Sequence, residues 1–578
     1  PSVARAPPPL KAVPLNLSLR AAVKTTRRDN NPYDVLDLYQ SKNSDVICNV
    51  VARSSEPRSS SLRKGVKSKH SSIVAELVMQ YMGDFPAMDG RDAALKSLLE
   101  HIRDDPIDLL VDETLLNCFA QARTHMEKAL NKKQSASNAL QRSGTSKIKK
   151  SVANKTLLGT NATAQAALRA FELAAIVLSY RWPTLSLRTV LAEFASDVRQ
   201  CRVVRRGSRI ASLPDSEEEE SHRRMLSAML TRISNALEAS MDDVSSVPIS
   251  ARSSKPSPMA WRREEFPSDK EIECIRANRD IVLHVRLPND KTWTLDVNAH
   301  TTVATAQRQL LQRVKLPSGS DLKLFTHFIR FAQEAYLSPH MLLADEVSRW
   351  QQRGIDAGFE DWFVESEFVL KCVWSQSSSL RIIPKDKTYQ KLCYKQTISD
   401  LQLGFLMVDS KDLCRLLALH AIISNDGNAS ELDNNQLKAL IPEHMLEVED
   451  ADSFDGQIKK KIDQYHKLSA NDSLKKFLEI VLPMKMFGTQ IYDCELRNEV
   501  GGENEYVWLA IGADGIIIYQ PYELREMIVI DHGMLINTNI YAGQLSVSYG
   551  NMVQPEKVVL ILSEFQEFAV NQALTLFA

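Results

Sequence analysis

The residues that could do covalent chemistry in this chain are present but wrongly spaced. Phosphate cradling needs a Gly-x-x-x-x-Gly-Lys-Ser/Thr loop; the nearest text, Ser143-Gly144-Thr145-Ser146-Lys147, lacks the second glycine and lies in polar sequence. Neither Gly-x-Ser-x-Gly nor His-Glu-x-x-His occurs, so no nucleophile elbow or zinc-protease helix is encoded. The 12 histidines show no metal-ligand spacing, and His420, inside the apolar run Leu413 to Ile423, reads as a core histidine. Acidic pairs such as Glu449-Asp450 sit in polar loops. We therefore expect no catalytic residue, no metal and no cofactor. What the residues can do is bind, and two sets stand out.

The first set is apolar and alternating. Met534, Ile536, Thr538 and Ile540 recur at the strand period and are followed by a C-terminal helix carrying Phe565, Phe568, Ala569 and Gln572. If that strand is an open sheet edge beside the helix, an extended peptide could add to it, backbone to backbone, with side chains in alternate pockets. Plain packing of strand on helix is the competing reading of the same pattern. The second set is cationic. Residues 128–169 hold nine Lys or Arg and no Asp or Glu, among them Lys132, Lys133, Lys147, Lys149 and Lys150. Residues 199–220 begin with an arginine cluster that includes Arg202, Arg205 and Arg206, then pass into Glu217 to Glu220. Such runs are solvated loops or patches for an acidic partner.

These sets need elements to hold them. A length of 578 residues exceeds one ordinary core, and 44% hydrophobic with 25% charged residues is the composition of folded domains. The net charge of -1 gives no global attraction to nucleic acid, which we do not expect as a partner. Eight cysteines without a Cys-x-x-Cys pair argue against a disulfide scaffold and for a reducing, cytoplasmic setting. The longest apolar stretch, Leu173 to Leu178, is far short of a membrane span. Pro7-Pro8-Pro9 after a non-Met start reads as a linker, disordered over 1–30, entering from a longer protein.

Helical periodicity dominates the first half: Ile73 to Met82, a helix from Asp112, a helix over 164–180 that is apolar nearly all round, and Met225 to Leu237. Ser268 with Glu271 three residues on forms a capping-box pattern for a short helix that turns at Asn278-Arg279-Asp280 into Ile281, Leu283, Val285 and Leu287. The order β-β-α that follows, closed by Phe368 to Val373, opens and ends a ubiquitin-like fold. A small all-α region follows, with helical runs at 401–405, 413–423, 437–441, 458–465 and 474–482. The last hundred residues alternate like a strand meander closed by a final helix over 565–577, as in a pleckstrin-homology-like sandwich.

The seam from Trp261 to Leu287 closely resembles the junction between a myosin-tail-homology-4 domain and a FERM domain in the tails of unconventional myosins of the VII, X and XV kind. Three further stretches are similar to that family. They are Met79-Gln80-Tyr81-Met82-Gly83-Asp84; Arg169 to Tyr180 with Pro183 and Leu187-Arg188; and Met341 to Trp350, Phe368 to Lys371 and Leu392 to Gln396. The resemblance implies a multidomain α+β chain. A helical bundle over 31–277, with basic inserts at 128–169 and 199–220, precedes a three-lobed FERM: ubiquitin-like over 278–376, all-α and acyl-CoA-binding-protein-like over 377–485, pleckstrin-homology-like over 486–578. It further implies a cargo-binding role toward cytoplasmic tails of membrane proteins or scaffold peptides, at the cytoskeleton, in actin-rich protrusions or the cell cortex. Actin would be reached only through a motor domain outside this chain. The basic residues would meet microtubules or anionic lipid. A non-motor or kinesin-type scaffold with the same domain pair is the alternative, and an upstream P-loop followed by IQ repeats would separate the two.

Overall fold

The computed structural model describes residues 69–82, 90–104, 110–119, 121–122, 165–183, 187–188, 191–192, 195, 217–245, 263–316, 322–329, 333–402, 406–425, 441, 451–498, 503–521, 525–563 and 566–577. The chain divides into two compact units, residues 1–281 and 282–578.

In the first unit, α1 (Lys69–Met82), α2 (Gly90–Arg103), α3 (residues 110–119), α4 (residues 165–180) and α5 (Glu217–Ser245) surround one apolar core. The all-round apolar stretch is indeed central: Phe171, Leu173, Ala174, Ile176, Val177 and Leu178 of α4 are fully buried, and Phe171 meets Phe119 edge to face at 5.6 Å. α5 is longer than the periodicity of Met225 to Leu237 indicates. It begins at Glu217, so the segment 217–220, expected in a loop, is helical. The helix α6 (Asp269–Arg276) starts where the capping pattern puts it, with Ser268 Oγ accepting from the Glu271 N–H at 3.1 Å. The Glu271 side chain does more than favour the helix start. Arg263 Nη1 donates to both its carboxylate oxygens, at 2.8 and 2.7 Å, and both side chains are buried. Phe266 packs against Tyr180, ring centroids 5.2 Å apart; Trp261 lies outside the described residues. At the other end of α6, Arg276 reaches Glu172 at 3.0 Å and Asp92 at 2.6 Å, while Tyr81 donates to Glu172 at 2.5 Å. Residues 263–280 are thereby fastened to the helical bundle by charge as well as by apolar contact.

The second unit opens with β1 (Ile281–Arg286) and β2 (Thr292–Val297), then α7 (Val303–Val314), β3 (Leu322–Phe328), β4 (Gln333–Tyr336), α8 (Leu343–Asp356) and β5 (Ser366–Cys372). The sheet order is β2-β1-β5-β3-β4, with β1 parallel to β5 through Val285↔Phe368, the ubiquitin-like arrangement expected from β-β-α. Trp350 of α8 stacks on Phe368 at 4.5 Å and bonds Thr326 Oγ1 at 2.6 Å, closing that core. The all-α lobe follows: α9 (Lys387–Gln402), α10 (Ser410–Ser424), α11 (Ala451–Tyr465) and α12 (Ala470–Val481). The helical run expected at 437–441 lies outside the described residues except Ile441.

The third lobe comprises β6 (Gln490–Leu496), β7 (Glu505–Gly512), β8 (Gly515–Gln520), β9 (Arg525–Ile530), β10 (Leu535–Tyr541), β11 (Gln544–Asn551), β12 (Gln554–Leu562) and α13 (Gln566–Phe577). Its sheet runs β10-β11-β12-β6-β7-β8-β9, leaving β10 and β9 as the two edges. The β7–β8 turn requires glycine at 515: φ is +117°, and a Cβ there would meet the Ile530 carbonyl oxygen at 2.1 Å.

Candidate peptide-docking edge and lobe seams

Strand β10 is an open edge among the described residues, paired only with β11. Its register runs Leu535↔Tyr549, Asn537↔Ser548 and Thr538↔Val547, so Ile536 is an extra residue in a bulge. The bulge corrects the alternation read from sequence. Leu535, Ile540 and half-buried Thr538 point inward, with Leu535 and Ile540 packed on the lobe core, whereas Ile536 is on the exposed side. Met534 is not in the strand at all; it ends a single helical turn, His532–Met534, and is 46% exposed. A one-residue insertion flips every side chain beyond it, which is why the four positions do not share a face.

The helix partners are corrected too. Ala569 is buried in the lobe core. Phe568 lies under the guanidinium groups of Arg349 and Arg353 of α8, 5.2 and 4.9 Å from the ring centre, and Gln572 accepts from Ser338 Oγ at 3.1 Å. Both therefore face the first lobe, where α13 also lies along β4, and not β10. Phe565 is outside the described residues. The tie between the edge and the helix is a different one: Glu567 accepts from the Gly543 N–H in the β10–β11 turn. Ala542 and Gly543 both have positive φ in that turn, 48° and 75°, as a tight two-residue hairpin demands. Between the end of α13 and the first lobe is a cavity of about 260 Å³ lined by Tyr336, Val373, Leu576 and Phe577, with Lys323 beside it.

The cationic candidates Lys132, Lys133, Lys147, Lys149, Lys150, Arg202, Arg205 and Arg206 all lie outside the described residues. His420 is half-buried at the edge of the all-α lobe rather than in its core: Tyr394 Oη approaches its Nδ1 at 2.6 Å, and burial, helped by Lys395, pushes the imidazole down to about 4. No group of three or more potential metal ligands occurs among the described residues. None of their helices is long and apolar enough to cross a membrane.

Two charged seams were not read from sequence. Lys371 stands in the apolar strand β5 and donates to Glu334 at 2.7 Å and Asp400 at 3.0 Å, joining the first lobe to α9 of the second. Burial alone would lower its amine, but the two carboxylates hold it above the usual lysine range. Arg381, in the connection between those lobes, donates to the carbonyls of Gln376, Leu482, Met484 and Phe487, at 2.8–3.3 Å. A lone cation inside an apolar run, as in Phe368 to Val373 or Leu380 to Ile383, is the signal that such a partner exists; its identity is not in the run.

With this geometry in hand, similarities to known proteins can be placed. Residues 279–368 match the RA like domain family and residues 383–492 the FERM central domain family. A search of curated proteins finds no match. Among solved structures, the MF2 MyTH4-FERM domain of Dictyostelium discoideum myosin VII is similar, at 13% identity and TM-score 0.57, covering 93% of this chain and 96% of that one. The human myosin 7b C-terminal MyTH4-FERM domain, solved in complex with the harmonin-a PDZ3 domain, is similar at 15% identity and TM-score 0.57, covering 88% and 87%. The MF1 domain of the Dictyostelium protein matches at 14% identity and TM-score 0.53, covering 90% of each chain. The chain has the MyTH4-FERM fold. The FERM central domain match falls on the all-α lobe of the second unit and the RA like match on its ubiquitin-like lobe.

Proposed function

We propose that this MyTH4-FERM chain is the cargo-binding tail module of an unconventional, actin-based myosin. It recognises cytoplasmic tails of membrane proteins or adaptor peptides and links them to the cytoskeleton at the cell cortex or in protrusions. It binds and does not catalyse. The observation that carries this reading is the open β10 edge, with exposed Ile536 and Tyr541 beside a backbone that, among the described residues, is paired on one side only. The MyTH4-FERM structures of myosin VII and 7b, one of them bound to a PDZ domain, support it.

Binding of cytoplasmic-tail peptides captured with the full chain tests it directly. A captured peptide N-methylated at alternate backbone positions should lose its affinity if it adds as a strand, since those donors are removed while the side chains stay. Unchanged affinity would end the strand-addition mechanism, and ATP turnover by the purified chain would end the non-catalytic reading.

A further inference from the structure

The connection between the first and second lobes is clasped to the β7–β8 turn of the third lobe by one carboxylate. Asp514, in the β7–β8 turn, accepts from Ser377 Oγ at 2.6 Å and from the Ser378 N–H at 3.0 and 3.2 Å. Arg381 Nη2 lies 3.8 Å from the same carboxylate, too far for a hydrogen bond. That nitrogen is buried without a hydrogen-bond partner, although the arginine side chain is 0% exposed. The clasp thus holds a buried, incompletely satisfied cation facing an anion site, and the serine hydroxyl occupies that site's outer side. Ser377 belongs to a run, Ser375-Gln376-Ser377-Ser378-Ser379, with Ser375 and Ser379 exposed and Ser377 half-buried. Leu380 and Ile382, 68% and 73% exposed, show that the outer side of this connection is open.

We propose that Ser377 is a phosphorylation site and that its modification releases the β7–β8 turn of the third lobe from the interlobe connection. A serine/threonine protein kinase supplies the phosphoryl group from ATP. Ser377 Oγ attacks the γ-phosphorus, the new O–P bond forms as the bond to ADP breaks, and the hydroxyl proton passes to the kinase base. The product has lost the donor that Asp514 accepts and carries nearly two negative charges at hydrogen-bond distance from it. Repulsion expels Asp514, and the phosphate oxygens take the pairing with Arg381 Nη2 that Asp514 leaves incomplete. Arg381 keeps its carbonyl bonds to the second-lobe end, so the change is confined to the β7–β8 turn and the serine run.

The test uses the full chain with phosphoserine genetically encoded at position 377, against the unmodified chain and a phosphoserine-379 control. Expected is roughly tenfold faster amide exchange at Ser378 and in the 513–515 turn for phosphoserine 377 only. In Asp514→Asn, where the repulsion is absent, phosphoserine 377 should add little. Equal exchange in modified and unmodified chains, an equal effect of phosphoserine 379, or an undiminished effect in Asp514→Asn would overturn the clasp mechanism. Phosphate mapping of the chain from phosphatase-inhibited eukaryotic cells should find Ser377 occupied; modification confined to Ser375 or Ser379 would overturn the site.

Discussion

Two connecting segments of this chain are each pinned by a buried arginine, and they are pinned differently. Arg263, ahead of α6 in the helical unit, faces Glu271 with both carboxylate oxygens within 2.8 Å. Arg381, between the first two FERM lobes, is held by carbonyls, and its nearest carboxylate stands off at 3.8 Å while serving two serine donors. A carboxylate matched to a guanidinium makes a fastening that is costly to break, because either partner alone is an uncompensated buried charge. Carbonyls neutralise no charge, so the second fastening leaves the cation open to a better anion.

The comparison breaks first at its strongest member. Glu271→Ala should cost the helical unit about 3–5 kcal/mol, read as a lowered denaturant midpoint, since the buried Arg263 loses the carboxylate that neutralises it. A loss below about 1 kcal/mol would mean that the arginine is compensated elsewhere. Asp514→Ala should cost less, on the order of 1–3 kcal/mol in the same measurement, because the carbonyl bonds to Arg381 survive.

Acid tests the second fastening. Burial pushes the Asp514 carboxyl up, but Ser377, Ser378 and Arg381 outweigh it and hold the group below the usual aspartate range. A depressed folded pKa gives stability that is present above the unfolded value and lost as pH falls through the folded one. The clasp should therefore hold at neutral pH and loosen in acid, and Asp514→Asn should flatten that part of the stability profile. His420, pushed down to about 4, has the same sign over a different window: stability declines as pH falls from about 6.5 toward 4. His420→Gln should remove that slope. The smallest effect belongs to the docking edge. Ile536→Lys, on the exposed side of the bulge, should change stability by less than about 0.5 kcal/mol while weakening capture of tail peptides. A mutant that unfolds would place Ile536 in the core and remove the residue from the edge surface.

How far residues alone led differs between these sites. The helix starting at Ser268, the strand Ile281 to Leu287 and the all-apolar α4 were all legible, because each is written in local periodicity or a cap. Strands β3 and β4 were not, since their buried residues on both faces erase the period-two signal; β6 does alternate in burial, but its inward face begins with the polar Gln490, so it does not read as an apolar strand. The candidate edge was half legible. Its existence as a strand followed from alternation, but the bulge at Ile536 and the turn of Phe568 and Gln572 toward Arg349, Arg353 and Ser338 depend on neighbours far along the chain.

Local sequence thus determined where the capped helix at Ser268 and the strand from Ile281 begin, that α4 is apolar all round, and that Lys371 and Arg381 stand as cations in apolar company. Tertiary structure alone decided who answers them: Glu334 and Asp400 for one, carbonyls and a distant Asp514 for the other. The physical reason is range. Periodicity and capping act over a few residues, whereas the charge partners of a buried cation are chosen by how separate lobes come together, across 137 positions in the case of Ser377 and Asp514.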